Sequence, residues 1–169
     1  SAVPQAPSVP LTELLAEGSP VLRLSDRFRE HEHALYLVGG TVRDAFLGRA
    51  GPDHDFATDA SPDKTLELVK PVADAVWLQG FKFGTVGAEV SGLRMEITTF
   101  RTEKYQPASR HPDVKFASDI ETDLSRRDFT INSMAIRLPE RTAVDPFDGV
   151  RDLSAKLIRT PDRRTRSIG

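Results

Sequence analysis

At 169 residues the chain is long enough to bury one real core, and its 38% hydrophobic and 28% charged residues fit a globular domain with a polar surface. No apolar run approaches the ~20 residues of a membrane helix, and no signal peptide is visible, so the expected setting is cytoplasmic with no membrane partner. The lack of cysteine excludes disulfides and thiolate metal sites, and the net charge of −2 hides an asymmetry. Residues 1–100 carry 9 Lys+Arg against 14 Asp+Glu, whereas residues 101–169 carry 14 against 11, a mildly basic last third that agrees with a polyanionic partner.

The first 18 residues, with three prolines in the first ten, read as a flexible lead. Ser19-Pro20 is a cap and first-turn pair for a helix reaching about residue 32, with Val21, Leu24 and Phe28 at helical spacing. Residues 34–38 form an apolar run expected to be a buried strand. Gly39-Gly40 then opens an amphipathic stretch over 41–47, closed by Gly48. A glycine pair at a strand-to-helix turn lets the backbone approach a phosphate, with free N–H groups facing the anion. Asp53 and Asp55 sit in an expected short strand at 53–57, so both carboxylates share one face and His54 takes the other. Ser61-Pro62 starts another helix with Leu66, Val69 and Val72 toward the core.

Residues 84–100 read as a hairpin turning at Ser91-Gly92. Glu96 stands there between Met95 and Ile97, an acid flanked by apolar strand residues. Residues 101–119 are polar and aperiodic, a long loop. A helix is expected over 125–134, then strands at 135–138 and 142–144 around the turn Pro139-Glu140, and a loop at 145–149. The histidines His31, His33 and His54 have no acid at ligand spacing and read as surface or strand residues.

Phosphoryl transfer needs phosphate charge neutralised and the attacking and leaving oxygens held in line. Carboxylates do this through hard divalent cations, and Asp53, Asp55 and Glu96 can supply three such donors. The glycine pair, the Asp-x-Asp a dozen residues on and the later strand carboxylate together resemble the DNA-polymerase-beta-like nucleotidyltransferases. The stretches Val38-Gly39-Gly40-Thr41-Val42-Arg43-Asp44 and Arg126-Arg127-Asp128-Phe129-Thr130-Ile131-Asn132-Ser133-Met134-Ala135 narrow the likeness. They resemble two motifs of class II tRNA nucleotidyltransferases (CCA-adding enzymes) and bacterial poly(A) polymerases. Glu96-Ile97-Thr98-Thr99-Phe100-Arg101 and Asp145-Pro146-Phe147-Asp148-Gly149 also match, and the likeness spans about residues 34–160.

The resemblance implies an α/β head domain over 19–160, a small mixed sheet with helices packed on one side. Asp53, Asp55 and Glu96 would be catalytic and hold Mg2+. Gly39, Gly40, Arg43, Arg127 and Asp128 would bind the nucleotide, and Asn132 would support the turn. ATP and CTP would be substrates and the tRNA 3′ end the acceptor, with poly(A) synthesis or A-only addition as alternatives. Tyr105, Arg110, His111 and Pro112 resemble the loop linked to switching from C to A addition. In the complete enzymes a neck selects the base and helical domains hold tRNA. Those parts do not match here, and residues 161–169 form an atypical basic tail. The alternative of another class is therefore an inactive nucleotide- and metal-binding module, or a subunit whose missing C-terminal half comes from another chain, and a homo-oligomer is a further expectation.

Overall fold

The computed structural model describes residues 9–49, 51, 53–102 and 114–161. The switch from period-2 to helical patterning along the chain produces a mixed sheet of seven strands with short helices between them. The first half runs α1 (Val9–Leu14), α2 (Pro20–Glu30), β1 (Leu35–Val38), α3 (Gly40–Phe46), β2 (Asp53–Thr58) and α4 (Pro62–Val69). The second half runs β3 (Ala75–Trp77), β4 (Thr85–Val90), β5 (Leu93–Thr99), α5 (Ile120–Ser125), β6 (Ala135–Leu138), β7 (Thr142–Val144) and α6 (Gly149–Ala155). The strand order is β3-β4-β5-β2-β1-β6-β7, and β2–β5 is the parallel pair.

One sheet face carries the main core. Leu35 and Leu37 of β1, Phe56 of β2, Met95 and Ile97 of β5 and Ala88 and Val90 of β4 pack there against Leu11, Leu15, Val21, Leu24, Phe28, Leu68 and Val69. Helix α2 presents the expected stripe, and Ser19 caps it by accepting the Leu22 N–H at 3.2 Å. Helix α4 is capped alike by Ser61, but its buried residues are Thr65, Leu68 and Val69. Leu66 is only half-buried, and Leu68 takes the buried position beside Val69.

The opposite face is partly covered. Tyr36, Val38, Ala57, Phe100 and Ala135 pack under Ile120 and Leu124 of α5 and under Phe147. Toward β5 and β4 this face stays open, and the charged residues of the centre stand on that open part.

Four expectations change. Residues 9–14 are helical, and Leu11 and Leu15 are almost fully buried, so the apolar surface over β1 and β6 recruits a segment that reads as a lead. The helix expected over 125–134 instead occupies Ile120–Ser125. Asp119 starts it early by accepting the Thr122 N–H at 2.7 Å. Phe129 is then extended, and the Thr130 N–H donates to the Arg159 carbonyl at 2.8 Å, so a tertiary bond replaces a helical one. The Arg126-Arg127 pair accordingly sits at the C-terminal end of a helix, not on a surface N-terminus. His33 does have an acid partner, Asp59, at 3.0 Å, from the bend just after β2 and 26 residues on. Strand β3 and helix α6 were not expected. Among the described residues no helix is long and apolar enough to cross a membrane.

Candidate active site

Register brings the expected acids together. Asp55 of β2 is the direct parallel neighbour of Glu96 of β5, and Asp53 lies two residues away on the same face. Alternation sends His54 to the core side, where it is buried with no hydrogen-bond partner for Nδ1, and burial holds its pKa below the usual value. Asp55 is half-buried. Its carboxyl is held above the ordinary value by burial first, then by Glu96, with Arg127 opposing and Asp53 adding to the rise. Glu96 is exposed, and Asp53 makes an exposed pair with Arg94 at 3.4 Å.

Gly39 and Gly40 lie beside this pair on the β1 side. Gly39 has φ +64° and ψ −136°, a conformation L side chains avoid, and a Cβ there would stand 3.2 Å from Arg127 Nη1. The turn is tied to the acid-bearing strand because the Asp55 N–H donates to Thr41 Oγ1 at 2.9 Å. Gly39→Ala should therefore lower stability by about 1–3 kcal/mol and displace Arg127. A lower urea midpoint together with weaker ATP binding would check this; an unchanged midpoint would refute it.

Arg43 reaches across the turn. Its Nη1 donates to Asn132 Oδ1 at 2.8 Å and its Nε to Asp44 at 3.1 Å, while Asn132 Nδ2 donates to Asp128 Oδ1 at 3.1 Å. Asn132 thus links the two motifs from its place in the 3-10 turn Thr130–Asn132, and Asp128 stays exposed with its other bond to the Phe129 N–H.

Sequence reasoning missed Asp123. Its carboxylate is fully buried and accepts from the Arg101 N–H (2.9 Å), Arg126 Nη2 (3.2 Å), Arg127 Nε (3.2 Å) and Arg127 Nη2 (2.9 Å). Three arginines thus surround one acid, leaving surplus positive charge. Burial pulls Arg126 down to about 10, so it remains protonated at neutral pH. With Nε and Nη2 engaged, Arg127 is left with Nη1 over Gly39. The available signal was Asp123 four residues before Arg127 on a helix, a pairing distance. Tyr105, Arg110, His111 and Pro112 lie outside the described residues.

The arrangement is a half-open sheet face with adjacent carboxylates, flanked by a glycine turn and fixed arginines, on a mixed α/β sheet. A family model described as the poly A polymerase head domain matches residues 35–159, and the chain belongs to that family. The CCA-adding enzyme of Lactobacillus gasseri is 41% identical over 150 residues, covering 88% of this chain and 36% of the relative. That of Bacillus subtilis is 38% identical over 151 residues, covering 89% and 36%. Among solved structures, the Bacillus stearothermophilus CCA-adding enzyme in complex with CTP superposes with TM-score 0.72 at 33% identity, over 87% of this chain and 34% of that one. The Thermotoga maritima CCA-adding enzyme complexed with tRNA gives 0.66 at 32% identity, over 91% and 36%. The chain spans about a third of the length of these relatives.

Proposed function

We propose that this chain is the catalytic head of a template-independent RNA nucleotidyltransferase that adds CMP and AMP from CTP and ATP to the tRNA 3′ end. The observation that carries it is the side-by-side placement of Asp55 and Glu96, with Asp53 on the same face, next to a glycine turn overhung by Arg127. In the reaction the RNA 3′ oxygen forms a bond to the α-phosphorus and the α–β bridging bond breaks. Pyrophosphate leaves, and the hydroxyl proton passes to water.

Asp53, Asp55 and Glu96 would hold Mg2+. Three hard oxygen donors on one face fit that ion, and the adjacent Glu96 and Asp53 charges, which add to burial in raising the Asp55 carboxyl, are ones a cation would neutralise. Among the described residues no three acids are already clustered closely enough to hold an ion, and Asp53 would have to leave Arg94 to join the other two. When bound, the ion supplies charge neutralisation on the triphosphate and a lower pKa for the attacking hydroxyl. The protein's own groups position the substrate. The Gly39-Gly40 backbone admits the triphosphate, Arg43 and Arg127 meet its charge with guanidinium forks, and Asp128 offers an acceptor to a ribose hydroxyl.

The test is to incubate the protein with tRNA lacking its CCA end, Mg2+ and each NTP, and to resolve products at single-nucleotide length. Addition of a defined CCA is expected. Long A tails would support poly(A) synthesis, the reading favoured by the family description. A single A added only to tRNA ending in CC would support A-only addition. No extension with retained ATP binding would support an inactive nucleotide-binding module.

A further inference from the structure

Beyond Glu96 the open sheet face continues into an aromatic corner that the site described above does not use. Strand register sets Trp77, Gly87, Glu96 and Asp55 in one row across β3, β4, β5 and β2. A Cβ at Gly87 would collide with the pyrrole edge of Trp77, so the missing side chain is what lets the indole lie over the sheet on the carboxylate face. A cavity of about 250 Å³ opens there, lined by Trp77, Phe83, Thr85, Gly87, Glu96 and Arg101 among others.

The corner carries arginines as well as aromatic rings. The Arg94 guanidinium stands 5.2 Å from the Trp77 ring centre. Arg101 Nη1 donates to the Phe83 carbonyl at 3.3 Å. The Arg101 backbone N–H is held by Asp123, whose single charge is shared with Arg126 and Arg127, and the Arg101 side chain lines the cavity. Aromatic faces next to a cation are the components of single-stranded nucleic-acid sites, where bases stack and the backbone is neutralised.

Geometry decides which nucleotide it suits. The glycine turn, Arg43 and Arg127 lie on the β1 side of Asp55, whereas Trp77, Phe83 and Arg101 lie beyond Glu96 on the opposite side. In-line displacement requires the attacking oxygen to approach opposite the leaving pyrophosphate. We infer that the Trp77–Phe83–Arg101 corner seats the 3′-terminal nucleotide of the acceptor RNA, its base stacked on the aromatic surface and its 3′ hydroxyl turned toward Glu96 and Asp55. The inference rests on the transfer reading above and assigns the acceptor its side of the site.

Trp77 is the single tryptophan of the chain, so its emission reports this corner alone. Without NTP, titration with a short single-stranded RNA ending in cytidine should quench it. The same RNA with an abasic 3′ terminus should leave emission unchanged and bind about tenfold more weakly by anisotropy, the loss of one stacked base. Trp77→Ala should weaken binding of the intact RNA by a similar factor with ATP affinity unchanged, and Trp77→Phe should restore it. RNA binding without a change in emission, or equal quenching by the abasic RNA, overturns the assignment. So does quenching by ATP but not by RNA, which would place the incoming base there, or ATP binding with no RNA binding at all. If neither ligand binds, the transfer reading itself falls and this corner with it.

Discussion

Asp55→Asn is expected to lower nucleotide transfer about a thousandfold or more while making the domain more stable at neutral pH. The loss follows from removing one of two adjacent carboxylates that would anchor a divalent cation, whose charge stabilisation is several kcal/mol at about 1.36 kcal/mol per decade of rate. The gain follows from the environment of Asp55. Burial, then the neighbouring Glu96 and Asp53, raise its carboxyl above the ordinary 3.8, and Arg127 offsets this only in part. A carboxyl raised in the folded state holds its proton more tightly there than in the unfolded chain. The stability it contributes is therefore complete below 3.8 and is lost as pH rises through the raised value. Asparagine escapes that loss. The melting temperatures of the two proteins should converge at acidic pH and separate as pH rises, by about 2–4 °C for each kcal/mol in a domain of this size. A gap that does not change with pH, or a variant that melts lower at neutral pH, would show that Asp55 is not under this stress.

Asp123→Ala should be the most destabilising single change at the site. Its carboxylate is completely buried and is the common acceptor for Arg101, Arg126 and Arg127. Removing it leaves guanidiniums close together without a counter-charge, a loss of about 3–5 kcal/mol. Against a total stability of about 5–15 kcal/mol, that removes a large part of the margin that keeps the domain folded. Asp123→Asn keeps an acceptor oxygen and should cost less, which makes it the variant in which function can be read. With Arg127 held by a neutral amide oxygen in place of a carboxylate, the KM for nucleotide should rise more than kcat falls. Urea unfolding measures the first effect and steady-state kinetics the second. An alanine variant within about 1 kcal/mol of the wild type would rule out the buried hub.

These two residues differ in how they could be found. Asp55 was legible because its chemistry is written locally, in an acid two residues from another acid, after a glycine pair that only a turn explains. The Ser91-Gly92 hairpin and the strands at 135–138 and 142–144 were legible for the same reason, since period-2 alternation and turn residues act over a few positions. Asp123 was not, because a lone acid becomes a hub only when β5 delivers Arg101 from 22 residues away. The recruitment of residues 9–14 to the core and the pairing of His33 with Asp59 fail to show in sequence on the same ground.

By itself, then, the sequence determined the residue types of the centre, their order and the periodicities that place Asp53, Asp55 and Glu96 on strands. Only the tertiary structure decided that Asp55 and Glu96 are direct neighbours, that Arg127 overhangs Gly39, and that Trp77 lies on the carboxylate face beside Glu96. The reason is physical. A strand's alternation fixes the face a side chain takes, but its neighbour depends on register, and register is set by burying Phe56, Met95 and Ile97 together in one core.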